Sequence, residues 1–257
     1  LSGLTFCGAY LIGGLCVTEK TTKDRKDPPR ALRTASRKTR FVAHRTGTAA
    51  DTIGPLSEGV SVTGLTAGQF SSIDAMEHMV NELGPAVVRL STWTTGIYDV
   101  QRAREIELDG RITECRVLLD RGTFEKSPKF AGPLIQILGV DAFRCLSVHA
   151  KVIIVEGARG TAVMRSSMNL NKNLRTEQFD IDVGPAIGAF FIEWFDALWD
   201  ESGRTRDNQA IIKAVFDRFL ALPPVEKVAR SDPFDADDLG SLILDPLFMD
   251  DDGVPGT

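Results

Sequence analysis

The chain has 257 residues, 43% of them hydrophobic and 25% charged, an ordinary globular composition. A formal net charge of −5 excludes a polycation. The charge is uneven, however. Residues 19–45 carry ten Lys/Arg against three Asp/Glu, and residues 224–257 carry nine acids against two bases.

In chain order, residues 1–18 are apolar and Gly-rich, with no basic lead-in of the kind a signal peptide needs. Four glycines weaken a helix there, so this piece reads as a loosely held start rather than a membrane anchor. Residues 19–45 read by composition as a flexible arm, a solvated linker first and a phosphate-backbone contact arm as the alternative. The expected organisation is an N-terminal extension over 1–45, one folded domain over 46–222 and an acidic tail over 223–257. The tail reads as a disordered solubilising segment; its apolar island, Leu239 to Met249, makes a docking peptide for a partner or a mask on the protein's own basic surface the alternative.

Within the domain, Phe70, Ile73, Met76, Val80 and Leu83 recur at helical spacing, which predicts a helix over 69–83 ended by Gly84-Pro85. A strand is expected over 86–90. A polar loop with one aromatic, Trp93, follows it. Further elements are a helix over 97–108, a strand over 114–119, a proline-interrupted helix over 126–138 and a strand over 141–146. Val152 to Val155 is the apolar run of a buried strand, and Gly157 to Gly160 turns the chain into strands over 161–165 and 178–183. A helix over 185–199 has Ile187, Phe190, Phe191, Trp194, Phe195, Leu198 and Trp199 spaced for a wide core-facing stripe. A last helix spans 208–222. The order predicts an α/β fold, a mixed sheet flanked by helices.

Four cysteines show no metal-type spacing, and the three histidines are scattered, so no metal and no cofactor is expected. Cys115 and Cys145 read as buried free thiols of a reducing compartment, and the cytoplasm is the expected location.

The chemistry concentrates between Ser147 and Val183. His149 and Lys151 are two apart, so on a strand they share a face. An imidazole serves as nucleophile or general acid near neutral pH, and an ammonium holds a phosphate oxygen. Ser167 and Asn169 add neutral donors, and Glu177 is placed to fix the imidazole tautomer. Trp93 and Thr94, at the C-terminal end of a strand, are candidate pocket residues.

This stretch resembles the phospholipase D superfamily, whose signature is His-x-Lys, four residues, Asp, about six residues, Gly-Ser-x-Asn and a downstream Glu. His149, Lys151, Ser167, Asn169 and Glu177 match it. Glu156 stands where the Asp is usual and Ser166 where the Gly is usual; both are expected to support the site. The hairpin between them is about three residues longer than usual, which the Gly157–Gly160 loop is expected to absorb. The resemblance implies an α/β fold with a mixed sheet and a mechanism through a phosphohistidine. That mechanism needs two histidines, and this chain has one His-x-Lys. A C2 homodimer with both His149 residues at its axis is therefore implied. The expected activity is that of a metal-independent phosphodiesterase, a nuclease acting on DNA or RNA. The alternatives are a catalytically idle nucleic-acid-binding or assembly module and a phospholipid phosphodiesterase; a membrane partner is not favoured.

Overall fold

The computed structural model describes residues 38–43, 47–93, 95–96, 102–103, 105–106, 109–122, 128–170, 175–203 and 206–222. The expectations for residues 1–18, for the acidic tail, for His44 and for Thr94 lie outside these. Of the helix expected over 97–108, residues 102–103 and 105–106 are described, and they are helical.

The elements run β1 (Lys38–Ala43), α1 (Ala49–Ile53), β2 (Val60–Thr66), α2 (Ser72–Leu83), β3 (Ala86–Thr92), β4 (Ile112–Asp120), α3 (Pro128–Leu138), β5 (Phe143–Leu146), β6 (Val152–Gly157), β7 (Gly160–Ser166), β8 (Glu177–Val183), α4 (Pro185–Gly203) and α5 (Arg206–Leu220). The strands form one mixed sheet in the order β1-β2-β8-β7-β6-β3-β4-β5. The α/β class expected from the sequence is the class observed. Several boundaries differ, and α1 and β2 answer to no expected element. β1 comes from the basic stretch read as an arm, and its Phe41 and Val42 pair in parallel with Thr63 and Gly64 of β2. Asp141 and Ala142, expected as the start of a strand, lie instead in a 3-10 turn, Val140–Ala142, before β5. α3 starts at Pro128, where a missing N–H is harmless, and runs on through Pro133 because Ala131, Leu134 and Ile135 are buried in the core shared with α5.

Alternation along the central strands sorts the core into two layers. Ile153 and Val155 of β6, Ala162 and Met164 of β7 and Val117 and Leu119 of β4 face the larger layer, which α1, α2, α3 and α5 cover. Val152, Ile154, Val163 and Leu118 face α4. Of the wide stripe expected on α4, Ile187 and Phe195 are buried. Phe191, Trp194, Leu198 and Trp199 are partly exposed. Among the described residues α4 is the one helix on this side of the sheet, so its flanks meet solvent. Its aromatics pack on one another, Phe190 on Phe191 with ring centres 5.2 Å apart.

The β6–β7 hairpin closes tightly. Gly157 pairs with Gly160, so Ala158 and Arg159 alone make the turn. The extra length between Lys151 and Ser167 therefore lies in the paired strands, not in the loop. A side chain at 157 would place its Cβ 2.6 Å from the Leu83 carbonyl oxygen, so glycine is required there. Arg159 donates to the carbonyls of Asn81 and Glu82, each at 2.7 Å. It thereby satisfies two of the open carbonyls at the C-terminus of α2 and ties the hairpin to that helix. These contacts fix the far end of β6 and β7, and with it the register that delivers the site residues to the near end.

Candidate active site

Antiparallel pairing collects the site. In the ladder, Val152 faces Ser91 and Arg165, and Ser166 faces Phe179. The start of β6, the end of β7, the start of β8 and the end of β3 thus share one rim of the sheet. His149 and Lys151 precede β6, Ser166 and Ser167 close β7, Glu177 opens β8 and Trp93 follows β3. Residues far apart in the chain meet because the strands are adjacent in the sheet.

His149 and Lys151 are not on a strand, as the two-residue spacing suggested, but in the irregular run before β6. Their side chains still meet. Lys151 Nζ lies 3.2 Å from His149 Nε2 and 3.3 Å from Nδ1. The ammonium has no acceptor, so it donates to whichever ring nitrogen lacks a proton. The Trp93 ring stands 5.5 Å from the His149 ring, tilted by 55°, and 5.9 Å from Lys151 Nζ. That is within cation–π reach and walls one side of the pair. His149 is exposed, whereas Lys151 is half-buried.

Loss of hydration pushes the Lys151 pKa below the ordinary lysine value, and the Glu177 carboxylate offsets this in part. An activity that needs the Lys151 ammonium should therefore fall on the alkaline side earlier than a solvated lysine would allow. A pH profile of kcat/KM should show that limb, and Lys151→Arg should displace it upward, since guanidinium does not lose its proton in this range.

On the opposite wall, Ser167 Oγ donates to the Glu177 carboxylate in a short hydrogen bond and accepts the Gln178 N–H at 3.0 Å. Glu177 was expected to orient His149. In the structure its hydrogen-bond partner is Ser167, because β7 and β8 are neighbours while β6 lies one strand further away. Its influence reaches the basic pair through charge on Lys151. Ser166, in place of glycine, uses its hydroxyl. It donates to the Gln178 carbonyl at 2.9 Å and accepts the Met168 N–H at 2.8 Å, which shapes the turn that presents Ser167 and Asn169. The Asn169 carbonyl accepts from Ser72 Oγ at 2.9 Å, and its side-chain Oδ1 is buried with no donor among the described residues.

Glu156 is elsewhere. It lies five residues beyond Lys151, roughly 16 Å along the strand at about 3.3 Å per residue. There it accepts from Arg89 at 2.7 Å, and Arg89, 8% exposed, also pairs with Asp196 of α4 at 3.0 Å. Glu156 belongs to the anchorage of α4 and not to the site rim. His78 supplies no second histidine. It is buried in α2, and its Nε2 donates to the Gly54 carbonyl at 2.8 Å.

Three residues near the site carry no motif signal. Ser72, Ser91 and Thr92 are buried hydroxyls bonded to backbone atoms of the two site segments. A polar ending on a buried strand, Leu90-Ser91-Thr92, was the cue available in the sequence. A cavity of about 150 Å³ lies behind Leu90 and Leu170 between α2, α3 and β4. Its walls are mainly apolar, Ile73, Met76, Leu134 and Leu138 among them, so the polar groups that could handle a phosphate converge on the rim instead. Among the described residues no helix is long and apolar enough to cross a membrane.

No family model matches the sequence, and no curated protein matches it. Among solved structures, the chain is similar to a phospholipase D family member, Nuc from Salmonella typhimurium. The two are 14% identical with a TM-score of 0.40, over 55% of this chain and 93% of Nuc. It is also similar to TrmBL2, an archaeal chromatin protein described as showing a novel mode of DNA binding. That match is 15% identical with a TM-score of 0.38, over 55% of this chain and 52% of TrmBL2, so this chain spans about half of that protein's length. At these scores neither likeness carries an argument, and the reading of the site rests on its own residues.

Proposed function

We propose that the protein is a metal-independent phosphodiesterase of the phospholipase D type that cleaves DNA or RNA. The observation that carries this reading is the contact of the Lys151 ammonium with the ring of an exposed His149, faced by Ser167 bonded to Glu177. In this reading a phosphodiester settles with a non-bridging oxygen on Lys151, which leaves the imidazole for it. Ser167 and Asn169 bind the remaining oxygens. A His149 nitrogen attacks phosphorus, a P–N bond forms, and the bond to the leaving oxygen breaks. That oxygen takes a proton from His149 of a second copy. The same second imidazole then accepts a proton from water, which attacks phosphorus and releases His149. Two copies across a two-fold axis supply the acid that one chain lacks. The basic stretch around β1 favours a polyanionic substrate.

The test is incubation with plasmid and single-stranded DNA in EDTA, alongside the mass in solution. Cleavage by a dimer is expected. Absence of cleavage with and without added metals would sink the activity, and cleavage by a strict monomer would sink the shared site. A second reading, DNA binding without cleavage, is favoured by the Lys151 ammonium lying against the His149 ring, where it donates to the nitrogen that would have to attack. Salt-sensitive binding that survives His149→Ala, with no cleavage by the native protein, would support it.

A further inference from the structure

The segments that carry the site, residues 147–151 and 167–170, are mostly outside the ladder, so most of their peptide groups have no strand partner. Buried peptide groups left unpaired are costly, and an irregular segment with free carbonyls does not hold one shape. Three hydroxyls from other parts of the chain supply partners. Ser91, 1% exposed, donates at 2.7 Å to the carbonyl of Ala150, the residue between His149 and Lys151. Ser72, 2% exposed, donates at 2.9 Å to the carbonyl of Asn169. Thr92, 2% exposed, accepts the Leu170 N–H at 3.3 Å.

We infer that Ser91 is a positioning residue for the His149–Lys151 pair, with Ser72 serving the Asn169 turn in the same way. The inference rests on the phosphodiesterase reading. Ser91 is too buried to touch a substrate. Its hydroxyl fixes the plane of the Ala150–Lys151 peptide, and that plane sets how the side chains on its two sides approach each other. His149 is exposed and cannot be placed by burial, so it depends on its backbone and on its neighbours Lys151 and Trp93. When the bond is lost, the Ala150 carbonyl is free to turn towards water, and the pair loses its fixed spacing. A displacement of about 1 Å in a reacting group costs about 100-fold in rate.

The experiment compares native protein, Ser91→Ala and Ser91→Thr, the last keeping the hydroxyl on a residue suited to a strand. Cleavage of a single-stranded oligonucleotide gives kcat and KM, and the ring protons of His149 are followed by NMR. Those protons lie in the ring current of Trp93, at 5.5 Å between centres. For Ser91→Ala the expected result is a fall in kcat of about 30- to 100-fold with KM within about twofold. The His149 resonances should move towards those of free histidine. Ser91→Thr should restore both. His78, buried in α2 away from the rim, reports whether the fold is intact. Unchanged kcat and unmoved His149 resonances in Ser91→Ala would overturn the inference, as would loss of the His78 signal, which would make Ser91 a residue of general stability. If the native protein cleaves nothing, the phosphodiesterase reading fails by itself, and the His149 resonances still decide whether Ser91 sets the position of that ring.

Discussion

Replacing His149 with alanine should lower cleavage by at least about 10⁴-fold, to the background of the assay. The expectation is this large because the imidazole has two tasks in the proposed dimer, nucleophile in one copy and acid in the other. Neither Ser167 nor Lys151 substitutes: a serine hydroxyl is a poor nucleophile without a base, and an ammonium has no free electron pair. His149 is exposed and its described hydrogen-bonding contacts are all with Lys151, so its removal should leave the unfolding free energy within about 0.5 kcal/mol. Co-expression with native chains makes the test quantitative. If the site needs a histidine from each copy, activity falls as the square of the native fraction, to about one quarter when half the chains are variant; independent sites would leave about one half. A linear dependence would remove the shared site while leaving the nucleophile assignment intact. Retention of activity in the pure variant would remove that assignment too.

Lys151→Ala should cost about 10² to 10³-fold in kcat/KM, because a preorganised cation acts on the charge that grows on phosphorus-bound oxygens in the transition state. Lys151→Arg should recover only part, since a planar fork does not take the place of a point charge at 3.2 Å from an imidazole. Stability should move differently. The folded protein lowers the Lys151 pKa through lost hydration. Below that folded value both states hold the proton, and burial of the charge opposes folding in full. The opposition fades as pH rises from the folded to the unfolded value. At neutral pH the ammonium therefore weakens the fold, and Lys151→Met should keep or raise the urea midpoint while activity falls. A variant that loses activity and stability together would mean that Lys151 is chiefly a structural residue, and the clamp role would fail.

His149 and Lys151 were legible in the sequence as a motif, whereas Ser91 was not, and the difference has a physical cause. His149, Lys151, Ser167 and Asn169 stand in a local pattern, two short spacings flanking a β-branched apolar run that ends in a glycine turn and reads as a buried strand. Ser91 sits at the end of Ala86-Val87-Val88-Arg89-Leu90, where a hydroxyl carries no signal until the strand order is known. Its bond to Ala150 spans 59 residues, and the bonds from Ser72 and Thr92 to the Asn169 turn span 97 and 78. Glu177 illustrates the same limit. Its place downstream of the serine was readable, but not its partner, because which oxygen meets which hydroxyl follows from β8 lying beside β7 and not beside β6.

Local sequence was enough for the apolar run of β6, the amphipathic α2 from Ile73 to Leu83, the glycine stops, the α/β class and the residue types gathered around His149. Each depends on side chains a few residues apart, which is the range over which helical and extended periodicity acts. Strand pairing and packing decided that Lys38 to Ala43 joins the sheet, that Glu156 anchors α4 through Arg89 far from the rim, that most of the α4 stripe stays partly exposed, and that buried hydroxyls brace the site. Those outcomes depend on which strands become neighbours. The antiparallel register of β3, β6, β7 and β8 brings one end of each strand to a common edge, and which strands become neighbours depends on stretches of the chain far apart in sequence.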